Sequence, residues 1–156
     1  MAKEARVGGE CTCYYALGDT TPPFNGTSGL LEHITDLSVS NTREEIDTST
    51  RSTYPTKTSK PAGTTIEVTF TLMNWQDSET QALATDVAAI LDAFHNTKLI
   101  TFNIMDGPGG NGQKITGYIV EDSESQGLSE PNTHALKLTS AAKAVRILQG
   151  ALITAL

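Results

Sequence analysis

Ten residues restrict the fold of this chain more than any others. From Thr64 to Met73 the sequence reads Thr-Thr-Ile-Glu-Val-Thr-Phe-Thr-Leu-Met. Ile66, Val68, Phe70 and Leu72 alternate with Glu67, Thr69, Thr71 and Met73, a period of two that places an apolar row on one face of a β-strand and a mostly polar row on the other. Leu99–Met105 repeats the pattern, with Ile100, Phe102 and Ile104 against Thr101 and Asn103. Between the two runs a helix is expected over residues 78–95. Ser78 serves as N-cap and Gln81 completes a capping box, with Asp77 and Glu79 at the positive end of the dipole. Leu83, Val87, Ile90, Leu91 and Phe94 form its apolar stripe, with Asp86 and Asp92 off it.

The other strands follow from the same alternation. Leu31–Ser40 reads as a strand, Asn41-Thr42 as a turn and Arg43–Thr50 as a polar return strand. The segment Arg51–Gly63 has no periodicity and reads as a long basic loop. Asp106–Gly112 is rich in glycine and links Leu99–Met105 to Gln113–Val120 as an antiparallel hairpin, with Ile115 and Ile119 on one face. Glu121–Thr133 reads as an acidic loop and His134–Thr139 as the last strand. Residues 1–29 are expected to be an extended arm with a short strand at Cys11–Leu17 and little to pack against in its own domain. Residues 30–140 form the β domain, and residues 141–156 a C-terminal arm or short helix. In that tail Ala144–Leu148 also suits a strand, with the helix preferred.

Composition excludes more than it identifies. The chain has 156 residues, enough for one domain with a sizeable core. Its 18 acidic residues outnumber 11 basic ones, for a formal charge of −7, which argues against tight phosphate binding through clustered Lys and Arg. No apolar run is long enough to span a bilayer, so no membrane binding is expected. The N-terminus lacks the apolar core of a signal peptide, predicting a cytoplasmic origin. Cys11 and Cys13 are too close to favour a disulfide with each other and are expected to be reduced.

No catalytic, cofactor or metal constellation is evident. His33, His95 and His134 are scattered. The Gly107–Gly112 run lacks the Lys-Ser/Thr of a P-loop, and Asp106 and Asn111 within it suit a turn better than a calcium site. Glu44–Glu45 and Glu121–Asp122 are adjacent pairs that point to opposite faces of a strand and read as solvating charge. A long exposed loop, polar sheet faces and two unanchored termini fit a building block better than an enzyme.

The order of elements resembles the tail tube (major tail) proteins of long-tailed bacteriophages and gene-transfer particles. The resemblance is carried by Ile34-Thr-Asp-Leu-Ser-Val-Ser40 with its charged return strand, the long loop and Thr64–Phe70. It continues through the helix ending Ile90-Leu-Asp-Ala-Phe94, Leu99–Met105 running into Asp106-Gly-Pro-Gly-Gly110, and Leu136-Lys-Leu-Thr139. The apolar tail after Ser140 departs from the family pattern.

The resemblance implies a mainly β fold, an antiparallel sandwich or flattened barrel flanked by one helix. It implies rings of six copies that stack into a hollow tube conducting double-stranded DNA, in a virion assembled in the bacterial cytoplasm. The tape-measure and tail-terminator or tail-tip proteins would be partners, and DNA would pass through the lumen without specific binding. Arg51, Tyr54, Lys57 and Lys60 would make the inter-ring contact, meeting acidic loops such as residues 121–130. Glu44, Asp47, Glu67, Thr69 and Thr71 would line the lumen or an inter-subunit face. The alternative is a β-sandwich binding, adaptor or decoration module such as a carbohydrate-binding domain. Against it stands Trp75, the single tryptophan, which is expected to pack in the core.

Overall fold

The Ile66–Leu72 row is the spine of the core: Ile66, Val68, Phe70 and Leu72 are buried, while Glu67, Thr69, Thr71 and Met73 keep solvent contact. The structure is a computed structural model, and it describes residues 11–26, 28–76, 79–129 and 131–153. Eight strands and one helix follow in order: β1 (Thr12–Leu17), β2 (Ile34–Asp47), β3 (Ser59–Met73), α1 (Thr85–His95), β4 (Ile100–Met105), β5 (Gly112–Ser125), β6 (Thr133–Ser140), β7 (Val145–Leu148) and β8 (Ala151–Leu152). All pairings are antiparallel, in the order β1-β4-β5-β6-β3-β2, with β7 also on β5 and β8 on β7.

The sheet folds over itself at β5. Residues 112–117 of that strand pair with β4, and residues 117–125 pair with β6. Gly117 stands where the two pairings meet, opposite both Ile100 and Ser140. The fold brings Phe70 of β3 edge-to-face with Phe102 of β4 at 5.5 Å, although two strands separate them in the sheet. Helix α1 enters the same core through Val87, Ile90 and Ala93. The fold class is therefore mainly β with one helix, an antiparallel sandwich.

Several local expectations change. The helix begins at Thr85 with Ala84 as N-cap and no side-chain cap. Gln81 is not helical, with φ of +59°, and Ser78 and Asp77 lie outside the described residues. Leu83 instead bridges to Gln76 and the Ala84 N–H donates to the Trp75 carbonyl (3.0 Å), which lays the residues before α1 against those that follow β3. The negative charge at the helix start is Asp86, buried rather than displayed. Its Oδ2 accepts from the backbone N–H groups of Glu32 (3.2 Å) and His33 (3.3 Å), and His33 Nδ1 lies 2.9 Å from Oδ1. A buried carboxylate needs such partners, and these tie the first turn of α1 to the start of β2.

Asn41-Thr42 does not turn. β2 runs straight through to Asp47, and the true reversal is residues 48–58, with a short 3-10 turn at Arg51–Thr53 and β3 beginning at Ser59. The long loop is thus shorter than 51–63, because residues 59–63 belong to β3, with Ser59, Lys60 and Pro61 paired to β2. The N-terminal segment is not idle: β1 pairs with β4 along its whole length, and Cys13 and Tyr14 are buried. The C-terminal tail forms the β7–β8 hairpin rather than a helix, with Ile147 buried against Tyr14 and Met105.

The polar row of β4 is buried as well. Thr101 donates to the Gly18 carbonyl (2.8 Å) and Asn103 Nδ2 to that of Pro22 (2.9 Å). The segment after β1 covers that face and takes the Thr101 hydroxyl and the Asn103 amide N–H as partners, while Asn103 Oδ1 is buried without one. Asp122 is likewise no solvating charge, since its Oδ1 lies 2.9 Å from His134 Nδ1 and both side chains are nearly buried.

Cys11 is exposed and Cys13 buried, and neither is in a disulfide. Burial pushes the Cys13 thiol well above its ordinary range, so its reactive thiolate is suppressed at neutral pH. A thiol reagent at pH 8 is expected to modify Cys11 within minutes and Cys13 only after denaturant is added. Equal rates at both sites in native buffer would contradict the placement of β1.

Candidate functional site

The surfaces left unused by the core are a strand edge and one sheet face. β2 pairs only with β3, so among the described strands its other side is a fourteen-residue open edge. The outer side of β1 is closed differently: the Tyr15 N–H donates to Gly29 (2.8 Å) and the Leu31 N–H to Cys13 (2.9 Å). Beyond Val39 the whole of residues 41–47 is exposed, and so is nearly all of 59–65 opposite. These two segments make a ribbon that leaves the sandwich. A two-stranded ribbon with no core beneath it is marginal in water, and an exposed edge is a template for pairing.

The ribbon tip carries Arg51, Tyr54 and Lys57, all exposed, with Tyr54 83% exposed. Lys60 is set back from the tip, in β3 opposite Ile46. The tip is held by its own short polar side chains. Thr50 and Thr53 form a reciprocal capping pair, and the Thr58 N–H donates to Ser49 Oγ (2.8 Å). The backbone of Arg51 and Tyr54 closes the turn (Tyr54 N–H to the Arg51 carbonyl, 3.4 Å), but the side chains of Arg51, Tyr54 and Lys57 take no part in these bonds and stand free of them.

Register sorts the second set of residues. Glu67, Thr69 and Thr71 project from the polar face of β3, beside Thr139, Lys137 and Ala135 of β6 and opposite Ser40, Ser38 and Thr35 of β2. Counting along β2 by twos from Ser38 and Ser40 reaches Thr42 and then Glu44, so Glu44 shares this face. Asp47 falls on the opposite row. It accepts the Ser49 N–H (2.8 Å), a bond that holds its carboxyl below the usual range, and it serves the turn. Of the five residues expected on one face, the structure brings Glu44, Glu67, Thr69 and Thr71 together and leaves Asp47 aside.

On β5 the same face carries Glu121 opposite Lys137 and Ser123 opposite Ala135. Its charge is therefore Glu44, Glu67 and Glu121 against Lys137 and, out on the ribbon opposite Ile46, Lys60; Lys137 Nζ is 3.3 Å from Glu67 Oε1. The outcome is a hydroxyl-rich, net acidic surface across β2, β3, β6 and β5. Lys137 was not among the expected site residues; the β3–β6 register that puts it beside Thr69 is its only signal.

Trp75 corrects the expectation of core packing. It is 54% exposed, with its ring 5.4 Å from that of His33. The bridge of Leu83 to Gln76 carries the chain past it without covering it. Among the described residues no three His, Cys, Asp or Glu side chains are grouped to hold a metal ion, and no helix is long and apolar enough to cross a membrane.

These features define a β-sandwich with one flanking helix, a projecting ribbon, an open edge and a polar sheet face. Solved structures share that fold. A chain of the SPP1 tail tube superposes with a TM-score of 0.69 over 91% of this chain and 78% of that one, at 15% identity. A chain of the virion of a native gene transfer agent particle gives 0.60 over 92% and 99%, at 10% identity. One from the tail of the empty gene transfer agent particle, refined with C6 symmetry, gives 0.56 over 90% and 97%, at 14% identity. No family model and no curated protein sequence matches the chain.

Proposed function

We propose that this chain is the repeating subunit of a tail tube, a structural virion protein that closes into rings of six and stacks into a conduit for double-stranded DNA. The observation that carries the reading is the open β2 edge with its unsupported ribbon, in a fold shared with tail tube chains. A neighbouring copy that pairs with this edge removes the aggregation hazard and continues the sheet around a ring. The C6 symmetry of the gene transfer agent tail supports six copies.

In this reading the face bearing Glu44, Glu67, Thr69 and Thr71 lines the lumen. Net negative charge repels phosphates, so DNA passes without adhering. The tip bearing Arg51, Tyr54 and Lys57, with Lys60 behind it, reaches the next ring. Tape-measure and tail-terminator or tail-tip proteins meet the tube inside and at its ends, and assembly takes place in the bacterial cytoplasm. The role is mechanical, with no catalysis. A decoration or carbohydrate-binding module is the second reading, favoured by exposed Trp75 alone.

Light scattering of the purified, concentrated chain separates the two. Particles of megadalton mass are expected. A species that stays monomeric at every concentration, with Trp75 fluorescence responding to a glycan, would replace the first reading with the second.

A further inference from the structure

The two ends of β6 carry complementary chemistry. At its C-terminal end a groove of about 680 Å³ opens beneath the base of the ribbon. Ile66, Ala141, Ala142 and Ala144 give it an apolar lining, and Arg43 and Lys143 add two cations. Among the described residues neither cation is in an ion pair, in a chain whose formal charge is −7. Ahead of the other end of β6, residues 126–129 present Leu128 with its side chain entirely in solvent, 110% of the reference exposure. Glu124 stands at the foot of this loop and accepts from Gln126 Nε2 (2.8 Å), which shapes it.

Loop and groove cannot meet within one molecule. β6 has eight residues, and at about 3.3 Å per residue its ends lie about 25 Å apart. They can meet between two copies displaced along the strand direction, and the contact is then heterologous: each copy offers a loop at one end and a groove at the other. Such a contact is not satisfied by a pair and propagates.

We infer that the 126–129 segment of one copy seats Leu128 in the groove of the next, with Glu124 against Arg43 and Lys143. This rests on the tube reading and names a stacking contact within it, separate from the ribbon tip. The occupant is a second copy of the same chain, since Leu128 supplies the apolar knob and Glu124, at the end of β5, the negative charge that the groove lacks.

The test uses the full chain with Cys11→Ser as parent, so that no exposed thiol remains. Leu128→Cys together with Ala142→Cys, mildly oxidised after assembly, is expected to give a ladder of covalent dimers, trimers and higher multimers on a non-reducing gel. Either cysteine alone is expected to give no ladder. Independently, Lys143→Glu is expected to raise the concentration needed for assembly at least tenfold, and Glu124→Lys in the same chain to bring it back. Both sites are exposed, so the variants should melt with the parent. Parent particles that form normally while the double-cysteine chain stays uncrosslinked, or while Leu128→Asp assembles like the parent, would overturn the contact but leave the tube reading intact. A parent that forms no particles would overturn both.

Discussion

Replacing Gly117 with alanine is expected to destabilise the subunit by about 3 kcal/mol or more, as overpacking against unyielding backbone does. A β-carbon there would lie 2.0 Å from the Thr139 carbonyl oxygen and 2.8 Å from its carbon. Both are backbone atoms in the β5–β6 ladder, so neither can rotate away. Relief requires parting β5 from β6 at the residue where β5 passes from one half of the sandwich to the other. For a chain of this length such a loss corresponds to a fall in Tm of about 10 °C, read by circular dichroism. A Tm within about 2 °C of wild type would show that the fold does not hinge at this strand. Because the hinge sets the angle between the two halves of the sandwich, the surviving fraction should also assemble poorly.

Deleting Tyr54–Lys60 is expected to leave a folded subunit that no longer stacks. The removed residues are exposed apart from the half-buried Thr58, and none belongs to either core cluster. The ladder from Arg43–Thr64 inward lies outside the cut. Thermal stability should therefore change little, about 1 kcal/mol at most, the size usual for surface changes away from special features. Assembly should stop at single rings, because the proposed stacking contact takes Tyr54 and Lys57 from the tip. Sedimentation that still shows long tubes would remove the ribbon tip from the stacking contact, while loss of the folded signal would show that the tip is needed for folding.

Strands whose two faces differ were legible from their residues. β3 alternates cleanly because one side meets the core and the other meets water, and β6 shows the same with Leu136 and Leu138. β4 misled because its second face is covered by the distant segment after β1, so Thr101 and Asn103 look solvated in sequence and are buried in the fold. The start of α1 misled for a related reason. Ser78 and Gln81 carry a local capping pattern, whereas the helix is anchored by Asp86 to residues 53 and 54 positions away in sequence. The continuity of β2 through Asn41-Thr42 is hidden in the sequence because polar residues resemble a turn when no core lies beneath them. The tail had two compatible periods, and pairing with β5 chose the strand.

The candidate surfaces were legible to a different degree. The basic tip and the Glu67–Thr71 row could be read because each is a contiguous or alternating run. The removal of Asp47 from that face, the partnership of Lys137 with Glu67 and the exposure of Trp75 all depend on register or on how a distant segment passes, which spacing alone does not contain.

The central claim is that this subunit is made to be one of many around a channel. Negative-stain electron microscopy of the purified chain, concentrated at neutral pH, tests it most directly. The account predicts rings or tubes of uniform diameter with a stain-filled central channel and six-fold end views. A field of separate globular particles at every concentration, with intact secondary structure, would contradict it.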